Sequence, residues 1–210
     1  MAFRAVIFDL GGVVFPSPFE AFDAYDHGND LEKGTMRALI RRSSETGAWN
    51  ALERGELTMD EFFDALEAEA LEAGFRLDAR RLMGLIGSSL GPRPEMARAI
   101  THIRSTGIRT AALTNNWADA ERKSSPSGLR ETGLFDVIVE SAVEGLRKPD
   151  PRIYALALAR LNVLASETVF LDDLGMNLKP ARAMGMATIK VVDPDDALAE
   201  LEAILGLVLR

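Results

Sequence analysis

Five short apolar, β-rich runs, at 5–8, 110–113, 137–139, 169–171 and 188–192, punctuate the 210 residues of the chain. Each is too short for a helix and too continuously apolar to leave one face in water, so each is predicted to be a strand buried on both sides. Helical patterns separate the last four runs, an alternation that gives a parallel sheet with right-handed crossovers. Asp150 followed by Pro151 supplies the N-cap and first position of one such helix, with Ile153, Leu156, Ala157 and Leu161 on a shared face. The segment from Glu95 presents Met96, Ile100 and Ile103 and stops at Gly107, and the segment after Pro194 presents Leu198, Leu201 and Leu205. The predicted class is α/β, with a Rossmann-like parallel sheet.

The first and second runs lie about a hundred residues apart, far more than an ordinary strand-to-helix connection needs. The stretch between them has no β-rich run but several helix signals. Thr58 and Glu61 form a capping-box pattern ahead of Phe62 and Leu66, and Gly74 ends that segment. Asp78 is placed to cap a further helix carrying Leu82, Leu85 and Ile86. A helical insert is therefore expected at 17–90, bounded by the "FPSP" and "GPRP" stretches, with 1–16 and 91–210 forming the α/β core.

Composition removes several classes of function. The absence of Cys excludes disulfides, thiolate metal sites and a Cys nucleophile. A net charge of -8 argues against a nucleic-acid surface, with Arg41 and Arg42 read as a solvated helix face. No apolar run approaches a membrane span, and the N-terminus lacks the features of a signal peptide, so a cytoplasmic location is expected. His27 and His102 offer no metal-ligand spacing.

Three of the runs end in polar clusters: Asp9, then Thr114 with Asn115 and Asn116, then Asp172 with Asp173. These are carboxyl ends of parallel strands, the edge at which open α/β sheets bind ligands. Lys148, in "RKPDP", stands just before the next helix. An ionised Asp9 behind four apolar residues is costly unless a cation or NH donors meet it. Adjacent Asp172 and Asp173 repel one another without a cation. Thr114 by itself would be an ordinary helix cap and Lys148 an ordinary surface residue, so the joint placement carries the signal. Carboxylates, a hydroxyl and an ammonium together suit a phosphoryl group with Mg²⁺, which takes hard oxygen ligands and one or two protein carboxylates. Trp49 is read as packing, and Trp117 as a candidate contact because it adjoins the Thr114 cluster.

In this order, Asp, Thr, Lys and Asp-Asp resemble the haloacid dehalogenase superfamily over nearly the whole chain. The stretches "LTNNW", "FDVIVESAVEGLRKPDPRIY" and "FLDDLGMNLKPARAMGMATIKV" are similar to the phosphatase domain found in soluble epoxide hydrolase and to the corresponding domain of an acyl-CoA dehydrogenase family member. The resemblance implies that Asp9 is the nucleophile, Thr114 and Asn115 bind phosphate, and Lys148 is the supporting cation. It makes Asp9, Asp173 and the Gly11 carbonyl metal ligands, places Gly11 and Gly12 in the phosphate loop, and leaves Asp172 and Asn177 as supports. The insert at 17–90 would be a helical cap. One position departs from the family: where its phosphatases usually carry an acid/base aspartate, two residues after the nucleophile, this chain has Gly11. A slow Mg²⁺-dependent phosphomonoesterase acting on a small molecule is expected. A phosphate-binding domain without catalysis and a 2-haloacid dehalogenase are the alternatives, the latter disfavoured by Asp172 and Asp173. If an acid outside the core replaces the missing aspartate, Glu20 and Asp23 are the first candidates.

Overall fold

The computed structural model describes residues 2–42, 46–88, 91–117 and 133–210. Among the described residues five strands form one wholly parallel sheet: β1 (Ala5–Phe8), β2 (Arg109–Thr114), β3 (Val137–Glu140), β4 (Thr168–Asp172) and β5 (Ala187–Lys190). Their order is β3-β2-β1-β4-β5, so β1 is central. The chain first builds outward from β1 on one side and then returns to its other side. This puts the topological switch point, where such sheets open a crevice, between β1 and β4.

Alternation within the strands divides the core in two, because successive side chains point to opposite faces. Val6, Phe8, Ala112, Val169 and Leu171 pack on one face against Met96, Ile100 and Ile103 of α6 (Pro94–Ser105) and Leu198 and Leu201 of α10 (Pro194–Leu205). Ala5, Ile7, Ala111, Leu113 and Phe170 pack on the other against Ile153, Ala157 and Leu161 of α8 (Pro151–Leu161) and Leu178 of α9 (Gly175–Ala183). Asp150 caps α8 as expected, its side chain accepting from the Arg152 amide.

The fifth run ends earlier than its hydrophobicity suggests. Strand pairing stops at Asp172 opposite Lys190, and Val192 is exposed. The helical pattern expected between β2 and β3 falls on 118–132, outside the described residues.

Between β1 and α6, among the described residues, lie five helices: α1 (Pro18–Gly28), α2 (Thr35–Arg42), α3 (Ala48–Glu53), α4 (Met59–Glu72) and α5 (Ala79–Ser88). The capping box at Thr58 and Glu61 starts α4, and Asp78 accepts from the Arg81 amide at the head of α5. These helices enclose an apolar cluster of their own, with Phe22, Met36, Trp49, Leu52, Phe62, Leu66 and Leu82 buried in it. The expected insert limits of 17–90 include 43–45 and end on 89–90, outside the described residues. Where the chain leaves and returns, the Arg93 amide donates to the Val14 carbonyl at 2.7 Å, so the two connecting segments run shoulder to shoulder. No helix among the described residues is long and apolar enough to cross a membrane. A short helix, α7 (Ser141–Glu144), follows β3 directly.

Candidate functional site

The register of the central strands assembles the site. Phe8 stands opposite Leu171, so the next residues, Asp9 and Asp172, emerge side by side at the switch point. The Asp9 amide donates to the Leu171 carbonyl at 2.8 Å, carrying the ladder one residue past β1 and fixing where the carboxylate begins.

Lys148, fully buried, joins the two acids. Its Nζ lies 2.7 Å from Asp9 Oδ1 and 2.7 Å from Asp172 Oδ2. The lysine is held at its backbone by Asn115, whose Oδ1 accepts from the Lys148 amide at 2.8 Å and whose Nδ2 donates to the Lys148 carbonyl at 3.0 Å. One loop therefore positions another across the sheet. Asn116 does similar work one residue on, donating from Nδ2 to Glu140 Oε1 and from its amide to Ser141 Oγ.

Asp172 is a fully satisfied anchor. Besides Lys148 it accepts from the Leu174 amide at 2.8 Å and from Asn177 Nδ2 at 3.1 Å. Asn177 is itself fixed from behind, where the Tyr154 hydroxyl donates to its carbonyl. The other two acids are less fully met. Asp9 Oδ1 takes the Leu10 amide and Lys148, which leaves Oδ2 without a protein donor among the described residues. Asp173 stands at the cavity with half-buried surroundings.

A carboxylate oxygen from each of Asp9, Asp172 and Asp173 can be chosen so that all three lie within 4.8 Å of one another. If all three acids were ionised against one ammonium, two negative charges would be uncompensated. Burial accordingly pushes the Asp9 carboxyl up to about 8, with Asp172 adding to the rise and Lys148 opposing it. Asp173 is pushed up to about 6, by burial first and the Asp172 charge second. Burial works against the Lys148 ammonium, but the two carboxylates outweigh it and raise the group above its ordinary value. The arrangement fits a divalent cation, since hard oxygen donors with a surplus of two charges are what Mg²⁺ binds. Asp9 and Asp173 are the carboxylates free to ligate it.

Gly12 shows how tightly this corner is built. Its φ is +80°, and a Cβ there would sit 2.4 Å from Asp173 Oδ2, so only glycine lets the loop pass beneath that carboxylate. Gly11 differs. Its backbone is not left-handed, and a Cβ would meet Pro18 Cδ at 3.3 Å.

A cavity of about 380 Å³ opens over these residues. Asp9, Gly11, Asn115, Lys148, Asp173 and Asn177 form its floor, while Phe19, Phe22, Ile40, Trp49, Trp117 and Met176 give it apolar walls. Asp172, Gly12 and Thr114 lie behind that floor rather than on it. The Thr114 hydroxyl is turned onto the Asn115 carbonyl at 3.3 Å. Trp49, read from the sequence as packing, is both buried and part of the wall. Trp117 packs on it edge to face with ring centroids 6.3 Å apart. Arg41, read as a solvated position, lies at the cavity edge together with Arg37.

Glu20 and Asp23 do not line the cavity. Glu20 is exposed, 4.0 Å from Arg93, and Asp23 is held by Arg37 at 2.7 Å. Sequence reasoning missed Glu53 and Arg147, which do line it and pair with each other at 2.6 Å. The one available signal was that Arg147 precedes Lys148.

Comparison with known proteins gives a consistent picture. A model of haloacid dehalogenase-like hydrolases matches residues 3–185. Mouse (Mus musculus) acyl-CoA dehydrogenase family member 10 is 40% identical over 212 residues, covering 100% of this chain and 20% of that protein. Pig (Sus scrofa) bifunctional epoxide hydrolase 2 is 35% identical over 220 residues, covering 99% of this chain and 40% of that protein. The chain thus spans well under half the length of these two relatives. The sesquiterpene phosphatase astK of Aspergillus oryzae is 31% identical, with 97% of each chain covered. Among solved structures, a HAD-like hydrolase from Porphyromonas gingivalis superposes with a TM-score of 0.69 at 22% identity, over 98% of each chain. A Bacteroides thetaiotaomicron HAD family enzyme, solved with magnesium and inorganic phosphate, does so with a TM-score of 0.62 at 18% identity, over 90% of this chain and 94% of that one.

Proposed function

The chain belongs to the haloacid dehalogenase-like hydrolases, and we propose that it is a Mg²⁺-dependent phosphomonoesterase working through an aspartyl-phosphate on Asp9. The observation that carries this reading is the pairing of Asp9 with buried Lys148 on one side and the open cavity, with Asp173, on the other. A phosphatase-named relative of matching length supports it. In this reading 1–16 and 91–210 are the catalytic core, and 17–90 is a helical cap that closes over it and shapes specificity.

Lys148 and the Leu10 amide orient Asp9 so that one carboxylate oxygen faces phosphorus in line with the departing alcohol. The bond from Asp9 oxygen to phosphorus forms as the bond to the ester oxygen breaks. Water then attacks phosphorus of the acyl phosphate, releasing orthophosphate and regenerating Asp9. Asp9, Asp173 and the Gly11 carbonyl would hold Mg²⁺, which supplies charge neutralisation on the transferring phosphoryl oxygens. Asn115 binds phosphate with its backbone and keeps Lys148 in place, with Thr114 behind it. The aromatic walls favour an ester whose alcohol carries an apolar group.

Gly11 is the one feature on the side of a binding domain without catalysis, since it offers neither an acid for the leaving oxygen nor a base for water. A panel of aryl, prenyl-type and sugar phosphates, assayed with Mg²⁺, with chelator, and beside 2-chloropropionate, tests the assignment. Mg²⁺-dependent release of phosphate that vanishes in Asp9→Asn is the expected result. Binding of orthophosphate without any turnover would favour the binding domain, and chloride release would favour a dehalogenase.

A further inference from the structure

The ion pair between Glu53 and Arg147 bridges the two proposed domains through side chains, separately from the backbone connections. Glu53 ends α3, and Arg147 lies in the loop that carries Lys148. Arg147 reaches Glu53 Oε2 with Nε at 2.8 Å and with Nη2 at 2.6 Å, while Trp49 Nε1 donates to Oε1 at 2.9 Å. Both carboxylate oxygens are thereby engaged, and the Glu53 side chain is only 9% exposed against 21% for Arg147. Two further contacts seat the same patch. Trp49 meets Trp117 of the loop after β2, and Gly55, with φ +70°, passes so close to α7 that a Cβ would fall 2.4 Å from the Ala142 carbonyl oxygen.

We propose that Glu53 and Arg147 form a clasp that holds the cap shut over the cavity, and that Glu53 is a positioning residue acting through Arg147 on Lys148. The proposal rests on the phosphatase reading for its catalytic half only. Arg147 is the residue directly before Lys148, and the Asp150 amide donates to its carbonyl at 2.9 Å, so the guanidinium and the lysine belong to one tight turn. Pinning Arg147 to the cap pins that turn from outside, as Asn115 pins it from within. The pair is desolvated only when the cap is down. Breaking one side strands a charge under the cap and favours opening, whereas removing both charges strands nothing. The clasp therefore has an unusual signature: either single substitution opens the cap, and the two together let it close again.

Trp49 and Trp117 are the only tryptophans in the chain, and they face each other across this seam, so quenching of their emission by acrylamide reads the opening directly. Glu53→Gln keeps an acceptor for Trp49 while leaving Arg147 unpaired, and Arg147→Met leaves Glu53 unpaired. Each single variant is expected to raise the quenching constant several-fold and to lower kcat on an aryl phosphate about tenfold at saturating Mg²⁺, through the smaller closed fraction. The double variant regains protection from quenching to within about twofold of the unaltered protein, as expected for coupled rather than independent sites, while its kcat recovers only in part because the turn that carries Lys148 is no longer pinned. Quenching of the unaltered protein should rise with salt, and that of the double variant should not. Thermal melts by circular dichroism check that the folded state persists in every variant. Singles as protected as the unaltered protein, or a double equal to the product of the singles, would overturn the clasp. So would a Glu53→Gln protein with unchanged quenching and normal burst but blocked turnover, which would make Glu53 a proton carrier. If no phosphate ester is hydrolysed by any form, the quenching pattern still decides the clasp while the phosphatase reading falls.

Discussion

Lys148 Nζ sits 2.7 Å from Asp9 and 2.7 Å from Asp172, one ammonium shared by two buried carboxylates from neighbouring strands. The sharing explains why a lysine can be fully buried in this chain, and it makes the site a structural element of the sheet edge as well as a chemical one.

Lys148→Met removes that ammonium and leaves Asp172 buried with only an amide and the Asn177 side chain to meet it. A stability loss of about 3–5 kcal/mol is expected in chemical denaturation, typical of a buried ion pair stripped of one partner. Lys148→Met with Asp172→Asn should lose less than the single variant, since no uncompensated anion then remains. Turnover should be abolished in both at saturating Mg²⁺.

Gly12→Ala should act on the metal at a distance of one loop. The added Cβ meets Asp173 Oδ2 at 2.4 Å in a backbone with φ +80°, so Asp173 has to move. Mg²⁺ affinity measured by calorimetry should weaken at least about tenfold, comparable to the loss of a supporting contact around a metal ligand. Gly34→Ala is the control: its φ is +93° with nothing within 4 Å of the new Cβ, so it should cost stability and leave Mg²⁺ binding unchanged.

Gly11→Asp returns an acid/base group to the position where the chain lacks one. The backbone there accepts a side chain, provided Pro18 yields a few tenths of an ångström. Steady-state turnover should rise by about ten- to a thousand-fold, within the usual worth of a positioned proton donor and acceptor. On the proposed aspartyl-phosphate route the unaltered protein should prefer aryl to alkyl phosphates and show a burst followed by slow turnover, because Gly11 supplies no base for the second step. Equal rates on both ester types, with no burst and no gain from Gly11→Asp, would place the proton chemistry elsewhere in the cavity.

Asp136 gives the fold an acid-sensitive strut. Burial alone would raise this carboxyl, but the Thr110 amide at 2.8 Å and Arg104 at 2.8 Å outweigh it and hold the group below its ordinary range. A depressed carboxyl stabilises the fold at neutral pH, and that contribution is lost as pH falls through the folded-state value. Asp136→Asn should therefore be less stable than the unaltered protein at pH 7 by about 1 kcal/mol or less, given its partial exposure. The gap should close in acid, and denaturation at a series of pH values will show it.

The sheet and its polar edge were legible because each strand is covered on both faces, which writes an unbroken apolar run into the sequence, and because the acids stand immediately after those runs. The helical segment was legible from its length and caps. The end of β5 was not, since Val191 and Val192 read alike although pairing stops at Lys190 and leaves Val192 in water. The Glu53 and Arg147 pair was hidden for a different reason. Its partners lie 94 residues apart, and each by itself reads as an ordinary surface charge. Thr114 and Asp172 were found as site residues but lie behind the cavity floor, a distinction of depth that residue type does not encode.

The backbone bond from Arg93 to Val14 has a consequence for how such a protein can diversify. With the two ends of the helical segment tied together at 2.7 Å, the sheet edge meets that segment as a cassette plugged into one narrow socket. Helices of other lengths and sequences could occupy the socket without moving Asp9, Lys148 or Asp173. A lineage could then change what it recognises by replacing the cassette while the reactive groups stay in register, and a chimaera that grafts a foreign segment between 15 and 92 would inherit the donor's preferences on this chain's chemistry.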